Sequence, residues 1–353
     1  MSIAKKEIFA AIRSGVERAG CRHSNQKAWL RLGGKYLELR FETAFLKEKL
    51  LLSVARLVCG QPEKSDAVIN VWQERLDGNY PEFCRPFLGK MLWRGGSLFF
   101  KEEVSLPFLY DGTNRYFTAF DVEEKRGYYC LNSGGELPFL HICHPFRQIF
   151  HWWSLLTTDY LLVHAAAVGM GGKGVGLVGA GGRGKSTTAI SAMARGLEFA
   201  GDDYVLFSQT EKKASLVYST GYMNPDMIAR MPEFAERILG RDPARKDKTL
   251  LDLSDYGSSF VPELELFALL HPVLGSIKAE IRPSLQPLKV TTALAVSTTI
   301  QNEGWMSPPV LHRVFACIKG LPVYDIALTG DFSGNADCLR DFILKRSDGK
   351  CTK

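Results

Sequence analysis

The run Gly174-Val-Gly-Leu-Val-Gly-Ala-Gly-Gly-Arg-Gly-Lys-Ser-Thr-Thr188 holds a complete G-x-x-x-x-G-K-S motif from Gly179 to Ser186. Successive backbone N–H groups of a glycine-rich loop form a nest for phosphate oxygens. A helix that follows adds the positive end of its dipole. In such a loop Lys185 reaches the β- and γ-phosphates and the Ser186 hydroxyl ligates Mg²⁺. Side chains at Gly179, Gly181, Gly182 or Gly184 would hold the backbone off the phosphates. The context is the one the motif requires. Val175 to Val178 is a short apolar run that reads as a buried strand. After the loop, Thr188-Ala-Ile-Ser-Ala-Met-Ala-Arg-Gly196 reads as a helix. Ala189, Ile190, Met193 and Ala194 share its face, and Gly196 stops it.

Upstream, Leu161–Gly169 reads as a strand and Met170-Gly-Gly-Lys173 as a two-residue hairpin turn. That turn pairs 170 with 173 and 165 with 178, which sets His164 beside Gly179 at the mouth of the loop. Downstream, Leu197–Gly201 reads as a strand that ends at Asp202-Asp203. In a right-handed strand–helix–strand unit, the end of such a strand lies near the loop. Carboxylates there suit Mg²⁺ or an attacking hydroxyl. Adjacent strand residues point to opposite faces, so the two differ in role. Asp202 is assigned to the acceptor hydroxyl as base and Asp203 to the metal. The bland alternative for the pair is a turn or a helix cap, and for His164 a core histidine.

Residues 5–19 read as an amphipathic helix, with Ile8, Ala11, Ile12 and Val16 at helical spacing. The next hundred residues read mostly as strands: Leu30–Phe41, Val68–Glu74, Gly96–Glu103, Arg115–Val122 and Gly127–Leu131. Pairs such as Gly95-Gly96 and Asp111-Gly112 punctuate them. A helix follows from about Pro145 to Thr157. This divides the chain into a β-rich module over 1–158, read as a substrate-recognition element, and a catalytic domain over 159–353. Within the latter, 221–260 is polar, with turns at Asn224-Pro225-Asp226 and Arg241-Asp242-Pro243 and a helix over 226–239. The run Arg241, Arg245, Lys246, Lys248 reads as a solvated face, with a substrate-binding loop as the sharper reading. Strands over 264–274, 276–282 and 323–328 and helices over 291–298, 308–318 and 335–344 complete the chain.

The 353 residues are 46% hydrophobic and 23% charged, as in a soluble globular protein, with net charge +6. No dense Lys/Arg block marks a nucleic-acid partner. No apolar stretch is long enough to span a membrane, and the N-terminus lacks the apolar core of a signal peptide. Eight cysteines without a C-x-x-C pair point to reduced thiols and a cytoplasmic location. His141-Ile-Cys143-His144 lacks a second ligand pair at metal spacing and reads as packing, as does Trp152-Trp153. Lys278 and Arg282 share a strand face only if no bulge intervenes and read as surface residues, with reach to a triphosphate as the sharper reading.

His164-Ala-Ala-Ala-Val-Gly169, the hairpin, Gly179–Ser186 and Gly201-Asp-Asp203 together resemble the HPr serine kinase/phosphorylase family. More closely, they resemble the HPr-kinase-related proteins found with peptide-modification systems, including kinases of the C-terminal serine of lasso-peptide precursors. The specific match covers about 160–208, and a looser one includes Leu321–Leu328. The resemblance implies an α/β P-loop kinase domain with a core shared with phosphoenolpyruvate carboxykinase. It implies ATP on Gly179, Ala180, Gly181, Gly182, Arg183, Gly184, Lys185, Ser186 and Thr187, and Mg²⁺ on Ser186 and one aspartate. The other aspartate would be the base, and His164 matches the family's histidine. Two departures point away from phosphorylase activity and from HPr as substrate. Thr187 stands where an acidic residue follows Lys-Ser, and Glu280-Ile-Arg282 lacks the glycine that follows in the bifunctional enzymes.

The reading is a kinase that moves the γ-phosphoryl of ATP to a serine hydroxyl of a peptide or protein. A small-molecule hydroxyl is the second acceptor class, and a nucleotide-binding regulatory ATPase is the second function class. Relatives of the HPr kinase type assemble into rings, so a homo-oligomer is open.

Overall fold

The computed structural model describes all residues except 1–2, 77–79, 95–96, 101–105, 134–136, 242–247, 305 and 348–353. The Gly95-Gly96 turn, residues 101–103 of the strand expected over 96–103, the Asp242-Pro243 turn, Arg245, Lys246 and Cys351 lie outside the described residues. The fold is mixed α/β, and the chain divides into two compact units, Met1–Thr158 and Asp159–Lys353.

The first unit is built on a nine-stranded sheet. Its elements are α1 (Ile3–Arg18), β1 (Lys27–Leu32), β2 (Lys35–Phe41), α2 (Ala44–Leu51), β3 (Val58–Cys59), β4 (Ala67–Glu74), β5 (Met91–Arg94), β6 (Ser97–Phe100), β7 (Phe108–Asp111), β8 (Tyr116–Asp121), β9 (Arg126–Asn132), α3 (Phe139–Cys143) and α4 (Arg147–Thr157). The strand order is β3-β1-β2-β4-β9-β8-β7-β6-β5. The single strand expected over 30–41 is a hairpin. Gly33 and Gly34 both take positive φ (54° and 69°), which a two-residue turn demands and other residues resist. The apolar stripe of α1, Ile8, Phe9, Ile12 and Val16, is buried in one cluster with Trp72, Phe117 and Tyr128. His141, Cys143, Trp152 and Trp153 are core residues.

The second unit contains β10 (Tyr160–Val163), β11 (Ala166–Met170), β12 (Lys173–Leu177), α5 (Lys185–Ala194), β13 (Glu198–Gly201), β14 (Val205–Ser208), β15 (Lys213–Ser215) and β16 (Thr220–Met223). There follow α6 (Pro225–Arg230), β17 (Ile238–Arg241), β18 (Thr249–Asp252), β19 (Glu263–Leu274), β20 (Glu280–Pro283), α7 (Pro287–Glu303), α8 (Pro308–Ile318), β21 (Val323–Leu328) and α9 (Phe332–Ser347). The main sheet runs β10-β14-β15-β19-β12-β11-β13, with β21 beside β19 and β20 beside β21. β12 and β21 flank β19 in parallel; the other pairs are antiparallel.

Four local expectations change here. The strand expected over 161–169 is broken at His164-Ala165: the Ala165 N–H donates to the Val163 carbonyl (3.0 Å), a tight turn that ends β10. The two halves then serve different neighbours, β10 pairing with β14 and β11 with β12 and β13. The helix expected over 226–239 stops at Arg230, because Pro232 cannot continue the hydrogen-bond ladder; a 3₁₀ turn and β17 follow. The strand expected over 276–282 is confined to Glu280–Pro283. The helix expected over 291–298 extends from Pro287, a residue suited to the first turn, to a Gly304 cap at φ 74°.

Candidate functional site

β12 delivers the chain into the glycine loop, and the register of its hairpin follows from Gly171-Gly172, both at positive φ. Met170 pairs with Lys173 and the ladder closes at Ala166–Leu177. The Val178 N–H donates to the Leu270 carbonyl (2.9 Å), so the loop departs from the middle of the sheet. Gly179, Gly182 and Gly184 take φ of 134°, 75° and 91°, conformations that glycine alone adopts readily. Gly181 has open space around it, so its demand is for approach rather than conformation. α5 then starts at Lys185, where the first-turn N–H groups face the loop.

Lys185 is buried, and its Nζ donates to the carbonyls of Gly179 (2.9 Å) and Ala180 (3.2 Å). Burial lowers its pKa, while the negative charges of Asp203 and Asp202 pull the other way. The ammonium therefore sits at the centre of the loop with two carboxylates close enough to be felt.

Those carboxylates do not continue a strand. Gly201 has φ 127° and Asp203 φ 60°, and the Tyr204 N–H donates to the Asp202 carbonyl (2.7 Å). Asp202 and Asp203 thus occupy a tight turn between β13 and β14, and the alternation argument from an extended strand does not apply. The turn still separates them. Asp202 is buried, and neither carboxylate oxygen has a hydrogen bond of good geometry. Burial, reinforced by the charge of Asp203, pushes its pKa up to about 7; the nearby Ser186 hydroxyl, Asp203 N–H and Lys185 act against the shift. Asp203 is half-buried and lines the cavity over the loop.

His164 lines that cavity too. Its backbone N–H donates to Thr298 Oγ1 (3.1 Å) and its Nδ1 hydrogen-bonds Ser297 Oγ, both from α7. Its Nε2 lies 3.6 Å from Asp203 Oδ1. The expected neighbour of His164 was Gly179; the chain reversal at Val163–Ala165 takes it out of the hairpin ladder. The histidine beside Gly179 is His271: a Cβ on Gly179 would fall 2.9 Å from His271 Cδ2. His271 Nδ1 is 3.1 Å from Asp325 Oδ1, which also accepts from Ser284 Oγ (3.1 Å). The available signal was a histidine and an aspartate interrupting two apolar strands, 264–274 and 323–328.

The cavity has a volume of about 490 Å³, within the range of small-ligand sites. The loop residues from Gly181 to Thr188, including Arg183, Ser186 and Thr187, form its floor. His164, Asp203 and Gln301 stand on it, as do Asn224, Lys248 and Phe332. Gly179 and Ala180 precede this floor and are held to it through Lys185. Among the described residues, no three His, Cys, Asp or Glu side chains gather into a metal site. A Mg²⁺ ion that keeps phosphate and water ligands needs only one or two from the protein. No helix of the described residues is long and apolar enough to cross a membrane.

No family model matches this sequence, and no curated protein does. Among solved structures, the chain is similar to the Hpr(Ser) kinase/phosphatase from Coxiella burnetii. The identity is 14% and the TM-score 0.30, over 53% of this chain and 98% of that one.

Proposed function

We infer that residues 159–353 form an ATP-dependent kinase that transfers the γ-phosphoryl group to a serine hydroxyl of a peptide or protein. The C-terminal serine of a lasso-type precursor peptide is the leading acceptor. The observation that carries this reading is one cavity holding a glycine phosphate loop at a helix N-terminus together with the His164–Asp203 pair. Phosphoryl transfer asks for little more than held phosphates, neutralised charge and a base for the incoming hydroxyl.

In this reading the loop N–H groups and Lys185 hold the β- and γ-phosphates. Asp203, open to the cavity, takes the proton of the acceptor hydroxyl. His164 orients it: its Nδ1 is hydrogen-bonded to Ser297 Oγ, which leaves Nε2 facing the Asp203 carboxylate. Asp202 takes the metal side. Its buried oxygens beside Ser186 are only partly offset by Lys185, which suits a divalent cation. This exchanges the roles read for the two aspartates from the sequence. Bound Mg²⁺ would supply charge neutralisation at the phosphates, with Ser186 and Asp202 as its protein side.

The test is intact-mass analysis of a serine-terminated precursor peptide incubated with the protein, Mg²⁺ and ATP. One added phosphate with wild type but not with Asp203→Asn supports the kinase and the base. Phosphate added by both retains the kinase and removes the base assignment. ATP turnover that is independent of any acceptor would replace the kinase by a nucleotide-driven regulatory module.

A further inference from the structure

Lys248 is far from the glycine loop in sequence, within a polar stretch whose charges read as solvated. The tertiary structure brings it to the cavity. β16, β18 and β17 form a separate three-stranded sheet, and Thr249 at the start of β18 pairs with Met223 at the end of β16. Lys248 precedes Thr249 and Asn224 follows Met223, and both line the cavity over the loop. The small sheet is pressed onto α5 through Gly221, where a Cβ would fall 2.8 Å from Ile190 Cδ1. A side chain there would have to displace the ends of Ile190 and Leu253, and α5 is the helix whose N-terminus carries Lys185 and Ser186. Lys248 is half-buried, and its charge works against protonation of Lys185. Two ammonium groups thus converge on one cavity with Asp203 between β13 and β14 as a nearby carboxylate. Like charges held together in this way are costly unless a multiply charged anion lies between them.

Resting on the nucleotide reading above, we propose that Lys248 is a second phosphate-binding cation that contacts the terminal phosphoryl group of the bound triphosphate. The loop N–H groups and Lys185 hold the β- and γ-phosphates from the loop, whereas Lys248, from the residue before β18, enters the cavity that His164 and Asp203 also line, where the reading above places the group being transferred. It therefore discriminates triphosphate from diphosphate and offsets charge on the group being transferred.

The experiment is calorimetric titration of the full-length protein with MgADP and with the Mg²⁺ complex of a non-hydrolysable ATP analogue. Lys248→Ala should weaken the analogue about tenfold or more, as loss of one charge-assisted contact does, and ADP less than twofold. Lys248→Arg should keep most of the preference. Lys248→Gln, which retains the stem and a polar end, should behave as the alanine variant and guards against a packing effect. Equal weakening of both nucleotides, or no change in either, overturns the proposal. If wild type binds both and Lys185→Met loses both while Lys248→Ala is unaltered, the nucleotide site stands and the role of Lys248 falls. If wild type binds neither nucleotide, both fall together.

Discussion

Replacing Asp202 by asparagine should stabilise the unit of residues 159–353 by an amount that grows with pH, while impairing its chemistry. The carboxyl group is buried without a hydrogen bond of good geometry, and its pKa is pushed from 3.8 up to about 7, first by burial and then by Asp203. Below pH 3.8 the carboxyl is protonated in both the folded and unfolded chains, and it exerts no penalty. As pH rises toward 7 the unfolded chain gains the ionised form while the folded chain does not, so stability is lost across that window and is constant above it. Three pH units at about 1.4 kcal/mol each give a penalty of about 4 kcal/mol above pH 7, and about 2 kcal/mol at pH 5.5. Asparagine keeps the shape and removes the charge. The melting-temperature advantage of Asp202→Asn over wild type should therefore be larger at pH 8.5 than at pH 5.5 by about 2 kcal/mol, or roughly 4–8 °C for a unit of this size. Differential scanning calorimetry in metal-free buffer measures it. An advantage equal at the two pH values, or a variant less stable than wild type at pH 8.5, would refute the reasoning that Asp202 is a buried acid whose neighbours offset its charge only in part. Natural sites keep such groups at the expense of stability where function uses the charge.

Lys185→Met should lower turnover with MgATP by about 100-fold or more, as removal of a preorganised electrostatic donor does, and should lower thermal stability too, because the Gly179 and Ala180 carbonyls lose their donor and Asp202 loses the cation that offsets its charge. Steady-state kinetics beside a thermal melt separates the two effects. Gly179→Ala should cost about 2 kcal/mol, because φ of 134° strains any side chain and the new methyl meets His271 at 2.9 Å. The double variant Gly179→Ala/His271→Ala should recover part of that loss in chemical denaturation, and a double variant worse than the sum of the singles counts against the contact. In the first unit, burial lowers the His141 pKa to about 3, so folding keeps it neutral and stability should fall as pH drops below the ordinary 6.5. Urea denaturation at pH 7 and pH 4.5, followed by tryptophan fluorescence, should show that slope in wild type and a shallower one in His141→Phe/Tyr129→Phe, which removes both partners of the buried hydrogen bond.

Local chemistry was legible in the chain itself. A glycine loop between an apolar strand and a helix has few other uses, so the positions of Lys185 and Ser186 follow from short-range order. Two glycines at 171–172 dictate a two-residue turn, and the hairpin register comes with it. The apolar stripe Ile8, Ile12 and Val16 marks α1 because helical periodicity repeats over few residues. What lay beyond reach depends on backbone breaks and on distant partners. The reversal at Val163–Ala165 and the positive φ of Gly201 and Asp203 redirect His164, Asp202 and Asp203, and neither follows from periodicity, which describes regular backbone alone. Parallel pairing of β12 with β19 and of β19 with β21 brings His271 and Asp325 together across 54 residues. Lys248 reaches the cavity only because β18 pairs with β16 and Gly221 lets that sheet rest on α5. Motif residues are determined locally, whereas the side chains that complete the site are selected by strand pairing and close packing between segments remote in the chain. Those contacts are decided by the energy of the whole folded unit rather than by any stretch of its sequence.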